Sequence, residues 1–190
     1  HFFSLSISKK KAPLSTKKKA KLPIKKSFPK VLKKYSSTNE PFLVEVLAKN
    51  LGIVWGMVFI NEKELLFTER KGHIKKLHIE TGKITNISGA PKVYAKGQGG
   101  LLDITLHPYF SKNKKVYISY AKPRGKKQTT AVASGVLKNN KLTQLKDIFI
   151  ATPYISSRHH FGSRLVFDKK RFSICNYRGS FGTTLGPKVR

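Results

Sequence analysis

A chain of 190 residues, 39% of them hydrophobic, is long enough for about one domain with a real core. Lys and Arg number 39 against 9 Asp and Glu, a formal net charge of +30, which attracts any polyanion without identifying one. The cations are 32 Lys and only 7 Arg, and Arg is the usual reader of guanine edges, so specific nucleic-acid recognition is not expected. A single cysteine, Cys175, excludes an internal disulfide and a CxxC metal site. No apolar run approaches the ~18 residues of a membrane span, so no transmembrane segment is expected.

Residues 1–41 read as a basic, Lys/Pro-rich, disordered leader. Their first 40 positions hold 12 Lys, one acid (Glu40) and three dispersed prolines, Pro13, Pro23 and Pro29, which leaves nothing to build a packed core. The chain begins at His1 and its one methionine is Met57, so a missing or processed N-terminus is expected. HFFSLSIS has the apolar character of a signal-peptide core, although no clean small-residue cleavage site follows it.

From residue 42 onward short apolar runs alternate with turn residues, and almost nothing recurs at helical period. After FLVEVL (42–47) come VWGMVFI (54–60), ELLFTER (64–70), HIKKLHI (73–79) and KITNIS (83–88), separated by dividers short enough for hairpins. LLDITLHP (101–108), KKVYISYA (114–121), TTAVASGVL (129–137) and LTQLKDIFI (142–150) repeat the grouping, and SRLVFD (163–168) opens a third group. Strands in fours, with group openings roughly 45 to 60 residues apart, predict an all-β chain of propeller blades rather than a sandwich. FLVEVL is placed to pair with the last blade of a ring.

Two loops carry the candidate chemistry. AKGQGGLLD (95–103) holds Gly97, Gly99 and Gly100, which permit tight turns, and Gln98, which offers a donor and an acceptor. RHHFGSRL (158–165) occupies the equivalent place before the third group. In a propeller both loops feed innermost strands and meet at one channel mouth, where an imidazole suits proton abstraction from a hydroxyl near neutral pH. Arg164 is read as a partner for Asp103 or Asp168, Trp55 as core, and Glu69 and Arg70 as pairing with neighbours. The spacing of His73, His78 and His107 gives no metal site, and neither a nucleotide-binding glycine loop nor a GxSxG elbow is present.

IVWGMVFI with ELLFTERKGHIKKL, GQGGLLDITLHPYFSKNKKVYISYA, TAVASGVL and HHFGSRLVFD together resemble the soluble quinoprotein glucose/sorbosone dehydrogenase family, in particular its bacterial aldose sugar dehydrogenase branch. The resemblance covers about residues 42–170. It implies a six-bladed β-propeller that binds pyrroloquinoline quinone and calcium, oxidises the anomeric carbon of an aldose, passes electrons to an external acceptor, and works in the periplasm or outside the cell. By position in the family's histidine–glycine–arginine motif, which reads here HFGSRL (160–165), the resemblance maps the catalytic base to His160 rather than His159, and the sugar-holding glutamine of GQ[GN]GLL to Gln98.

Val54 stands where the family has proline, and residues 171–190 depart from its pattern. Residues 42–190 are thus expected to form the first two to three blades of a six-bladed ring. The residues that hold the quinone and calcium fall beyond them, so this chain assigns no cofactor-binding or metal residue. A truncated or frame-disrupted product, inactive by itself, is the expectation. The alternative is a noncatalytic basic protein that holds nucleic acid or an anionic surface through its leader.

Overall fold

The computed structural model describes residues 30–35, 42–162, 164–167 and 173–175. Two four-stranded antiparallel sheets dominate it. The first runs in order through β3 (Val54–Phe59), β4 (Glu64–Glu69), β5 (His73–His78) and β6 (Ile84–Ile87). The second runs through β7 (Leu101–Leu106), β8 (Lys115–Arg124), β9 (Lys127–Lys138) and β10 (Lys141–Ile150). Each is a meander in which chain neighbours pair, the pattern of a propeller blade. A third group begins with β11 (Leu165–Phe167), paired to β12 (Ser173–Cys175).

The strands form where β-branched and aromatic residues cluster between Gly, Asn and Lys turns. Asn61 closes the β3–β4 turn by accepting from the backbone N–H groups of Lys63 and Glu64 at 2.8 and 2.9 Å. Gly125, at φ 58°, closes the β8–β9 hairpin. That hairpin runs past the expected ends at Ala121 and Thr129 to pair Arg124 with Lys127. Pro123 is tolerated there because β7 pairs with β8 no further than Tyr120, so no third strand requires its missing N–H. The single helical turn, α1 (Phe110–Asn113), lies in the β7–β8 connection, where the alternation-based reading expects only a turn.

Two further strands precede the blades. β2 (Phe42–Val46) pairs antiparallel with β1 (Lys30–Tyr35), and these two make a sheet of their own. Regular pairing therefore starts inside the segment that lysine content assigns to the leader, where KVLKKY carries the strand-favouring Val31 and Tyr35 among its lysines. Among the described residues, FLVEVL pairs with β1. Residues 1–29 lie outside the described residues.

The core fills the space between the blades. Leu66, Ile74 and Ile87 of the first blade meet Leu101, Ile104, Val116, Ile118 and Tyr120 of the second, all buried. Each such aliphatic side chain contributes about 1.5–3 kcal/mol on burial. The innermost strands β3 and β7 pack side by side, and β11 packs against β7. Leu101 to Ile104 are all buried, since an innermost strand is covered on both faces. The buried Thr68 hydroxyl adds a polar tie between the blades by donating to the Leu102 carbonyl at 2.5 Å.

Candidate functional site

The loops that enter β3, β7 and β11 meet around one cavity of about 640 Å³. Ile53, Trp55 and Arg70 line it from the first blade, Gln98 and Leu102 from the second, and His160, Phe161 and Arg164 from the approach to the third. The two loops singled out in the sequence thus share one opening, and His159 is not among its lining residues. A larger groove of about 760 Å³ lies on the other side of Ile53 and Arg70, which line both, and it contains neither Gln98 nor His160.

Close backbone approach explains the glycines of GQGG. A side chain at Gly97 (φ 57°) would meet the Arg158 carbonyl oxygen at 2.4 Å, and one at Gly100 (φ 148°) would meet that of Arg70 at 2.3 Å. Arg70 grips the loop from both ends of the residue. Its guanidinium donates to the Gly97 carbonyl at 2.6 Å, and its own carbonyl accepts from the Leu101 N–H at 3.0 Å.

Gln98 and His160 are in direct hydrogen-bonded contact. The His160 N–H donates to Gln98 Oε1 at 2.8 Å, and the Gln98 N–H donates to the Arg158 carbonyl at 2.8 Å. Gln98 therefore turns its amide oxygen to the other loop, and its NH2 group remains as a donor at the cavity. His160 sits at φ 64°, a left-handed conformation uncommon for a residue with a side chain, and this latch holds it there. The neighbouring Phe161 carbonyl accepts from the buried Thr130 hydroxyl, and the Phe161 ring packs on Leu102 and Ala121. Upstream, the Gln128 side chain donates to the Ser157 carbonyl. Both histidine rings are solvent-accessible, 6.3 Å apart and inclined to one another, so a cavity on one side meets one of them.

Arg164 donates to Asp103 Oδ1 at 2.9 Å and lies over the Trp55 ring at 5.3 Å. Of the two carboxylates the sequence offered it, Asp103 is the partner found, while Asp168 lies outside the described residues. Trp55, expected in the core, is half-buried and forms a wall of the cavity. Arg70 and Trp55 were both visible in the sequence as residues, but only the meeting of the loops puts them beside Gln98 and His160.

The adjacent four-stranded meanders, with an amide and an imidazole lining one cavity where their entering loops meet, have the architecture of a partial β-propeller. The chain belongs to the glucose/sorbosone dehydrogenase family, whose family model (Glucose / Sorbosone dehydrogenase) matches residues 51–176. It is 37% identical over 133 residues to aldose sugar dehydrogenase YliI of Escherichia coli (strain K12), a match covering 68% of this chain and 36% of that protein. The crystal structure of the soluble aldose sugar dehydrogenase of Escherichia coli in the apo-form superposes with a TM-score of 0.65 at 36% identity, covering 70% of this chain and 40% of that one. The PQQ-bound aldose sugar dehydrogenase of Streptomyces coelicolor, 22% identical, shares the fold with a TM-score of 0.65 over 85% of this chain and 44% of its own. The chain thus spans well under half the length of these relatives.

Proposed function

We propose that these residues form the substrate side of the active site of a quinone-dependent aldose dehydrogenase, with His160 as the base and Gln98 as a sugar contact. The observation that carries this reading is the joining of Gln98 and His160 across one cavity by the 2.8 Å bond between their loops. The sugar's anomeric hydroxyl approaches the His160 imidazole, which takes its proton, while the Gln98 NH2 group donates to a neighbouring sugar oxygen. Ile53, Trp55 and Phe161 give the pocket apolar walls against which the pyranose ring packs.

Pyrroloquinoline quinone, which the Streptomyces coelicolor protein carries in its PQQ-bound form, supplies when bound the acceptor for the hydride that leaves the anomeric carbon. The cavity fits a planar anion in two respects, the Arg164 guanidinium and the Trp55 face, and these two would touch it. Calcium has no comparable support here: no group of three His, Cys, Asp or Glu that could hold a metal ion occurs among the described residues. We place the calcium donors outside this part of the ring, and a periplasmic or extracellular setting with an external electron acceptor follows the same family reading. No helix among the described residues is long and apolar enough to cross a membrane.

The test is dye reduction with glucose in the presence of the quinone and calcium. In a protein carrying the complete ring, His160→Ala is expected to lower kcat by about 10²-fold or more, the scale of general-base catalysis. Near-normal turnover would remove His160 from the role. The 190 residues by themselves are expected to give no dye reduction, and robust activity would show that this part of the ring suffices.

A further inference from the structure

We infer that Asp103 is a positioning residue for this site, holding the loop that carries His160 from behind. This rests on the assignment of His160 as base. Asp103 is the third residue of the innermost strand β7, and its side chain is 4% exposed. One carboxylate oxygen accepts from the backbone N–H of Leu165 at 2.8 Å and the other from the Arg164 guanidinium at 2.9 Å. Leu165 begins β11, the strand that follows the His160 loop, and Arg164 immediately precedes it. The preceding residue of β7, Leu102, packs on Phe161. Two consecutive residues of one rigid strand therefore grip the loop, one next to His160 and one at its exit.

The first blade makes room for this arrangement. A side chain at Gly56 would place its Cβ 2.6 Å from Asp103 Oδ1 and 3.0 Å from the Asp103 Cα, so glycine is what lets the carboxylate sit between the innermost strands. Arg164 in turn is held over Trp55, the cavity wall. Gly56 of the first blade, with Arg164 and Leu165 at the approach to the third, thus meets this single carboxylate of the second. Both side-chain hydrogen bonds of this buried acid go to the exit of one loop, which gives it a role in the geometry of that loop, and a misplacement of about 1 Å at a catalytic group is enough to cost large factors in rate.

Asp103→Asn in the complete-ring protein tests this, because asparagine keeps the size and one acceptor but loses the second acceptor and the charge. Amide hydrogen exchange in the segment spanning 156–167 is expected to speed up at least tenfold, with β4 and β5 unchanged. For glucose, kcat is expected to fall about tenfold or more, with KM moving less than threefold. Wild-type exchange, wild-type kcat, or a uniform acceleration of exchange through β4 and β5 would each overturn the proposal. Should Asp103→Asn fail to fold, Arg164→Gln removes one of the two donors at a side chain that is 60% exposed. It is expected to loosen the same segment and lower kcat, and normal values of both would equally overturn the inference. The exchange readout does not depend on what His160 does, so failure of the base assignment, seen as normal turnover in His160→Ala, is distinguishable from failure of the Asp103 grip.

Discussion

Glu69, the last residue of β4, is a charged side chain only 5% exposed, and its surroundings show how such a residue is accommodated. It accepts from the Gly52 N–H at 2.8 Å, from Lys75 at 2.9 Å and faces His73 Nδ1 at 3.1 Å. Burial works against its charge, but Lys75, the Gly52 amide and His73 outweigh burial and hold the carboxyl below its ordinary value of 4.5. Because the folded value is the lower one, the stabilisation is complete above about pH 4.5 and is lost as pH falls through the folded value. Glu69→Gln is therefore expected to cost about 1.5–3 kcal/mol near pH 7, the scale of hydrogen bonds to a charged group. The gap from wild type should shrink below pH 4. Urea midpoints of the complete-ring protein from pH 7 to 3 check this, and a gap constant across that range would show that the charge contributes nothing. The sequence showed that Glu69 would find neighbours, since it ends a strand followed by basic residues. The amide of Gly52, seventeen positions away, becomes its partner only through the entry of the chain into β3.

At the scale of elements, the blades were legible because each strand is bounded by turn residues and its apolar positions match a pleated, buried surface. Beside the apolar core, some of the contacts that lock one blade to the next were not, since they are made by backbone. The exit of β6 is stitched to the outermost strand of the second blade: the Ser88 carbonyl accepts from the Leu142 N–H at 2.8 Å, and the Ser88 N–H donates to the Asn140 carbonyl at 3.1 Å. Gly89 follows at φ 86°, and a Cβ there would lie 2.1 Å from the Leu142 carbonyl oxygen. Gly89→Ala thus combines a disfavoured backbone conformation with a backbone clash that cannot be relieved by turning a side chain. A loss of about 2–4 kcal/mol is expected, combining left-handed backbone strain with overpacking. Thermal unfolding of the complete-ring protein measures it, and a Tm within 1 °C of wild type would show that the stitch is slack. The site repeats the lesson. HHFGSRL and GQGG mark its two loops, but the bond from the His160 N–H to Gln98 joins positions 62 apart and had no local signal.

For the whole molecule, the unusual quantity is charge. Residues 41–190 hold 27 Lys and Arg against 8 Asp and Glu, so the propeller part is itself basic. Five of those acids, Glu64, Glu69, Glu80, Asp103 and Asp147, already pair with cations among the described residues. What distinguishes residues 1–40 is density: 12 Lys with one acid. Polyanion binding through that segment releases counterions, and its logarithm falls by about 0.9 per phosphate contact for each unit of log salt on duplex DNA. The two sources of charge therefore predict different outcomes on deleting residues 1–40. Binding through the leader would vanish in duplex DNA titrations at moderate salt, and the salt slope of whatever remains would drop by more than half. Attraction by the blades, whose cations are spread over sheet faces and turns, would leave slope and affinity nearly unchanged, and that result would sink the reading of residues 1–40 as an attachment segment. The Lys-for-Arg bias implies in either case that exchanging one duplex sequence for another changes affinity less than about threefold, since lysine neutralises phosphates without the planar fork that reads base edges.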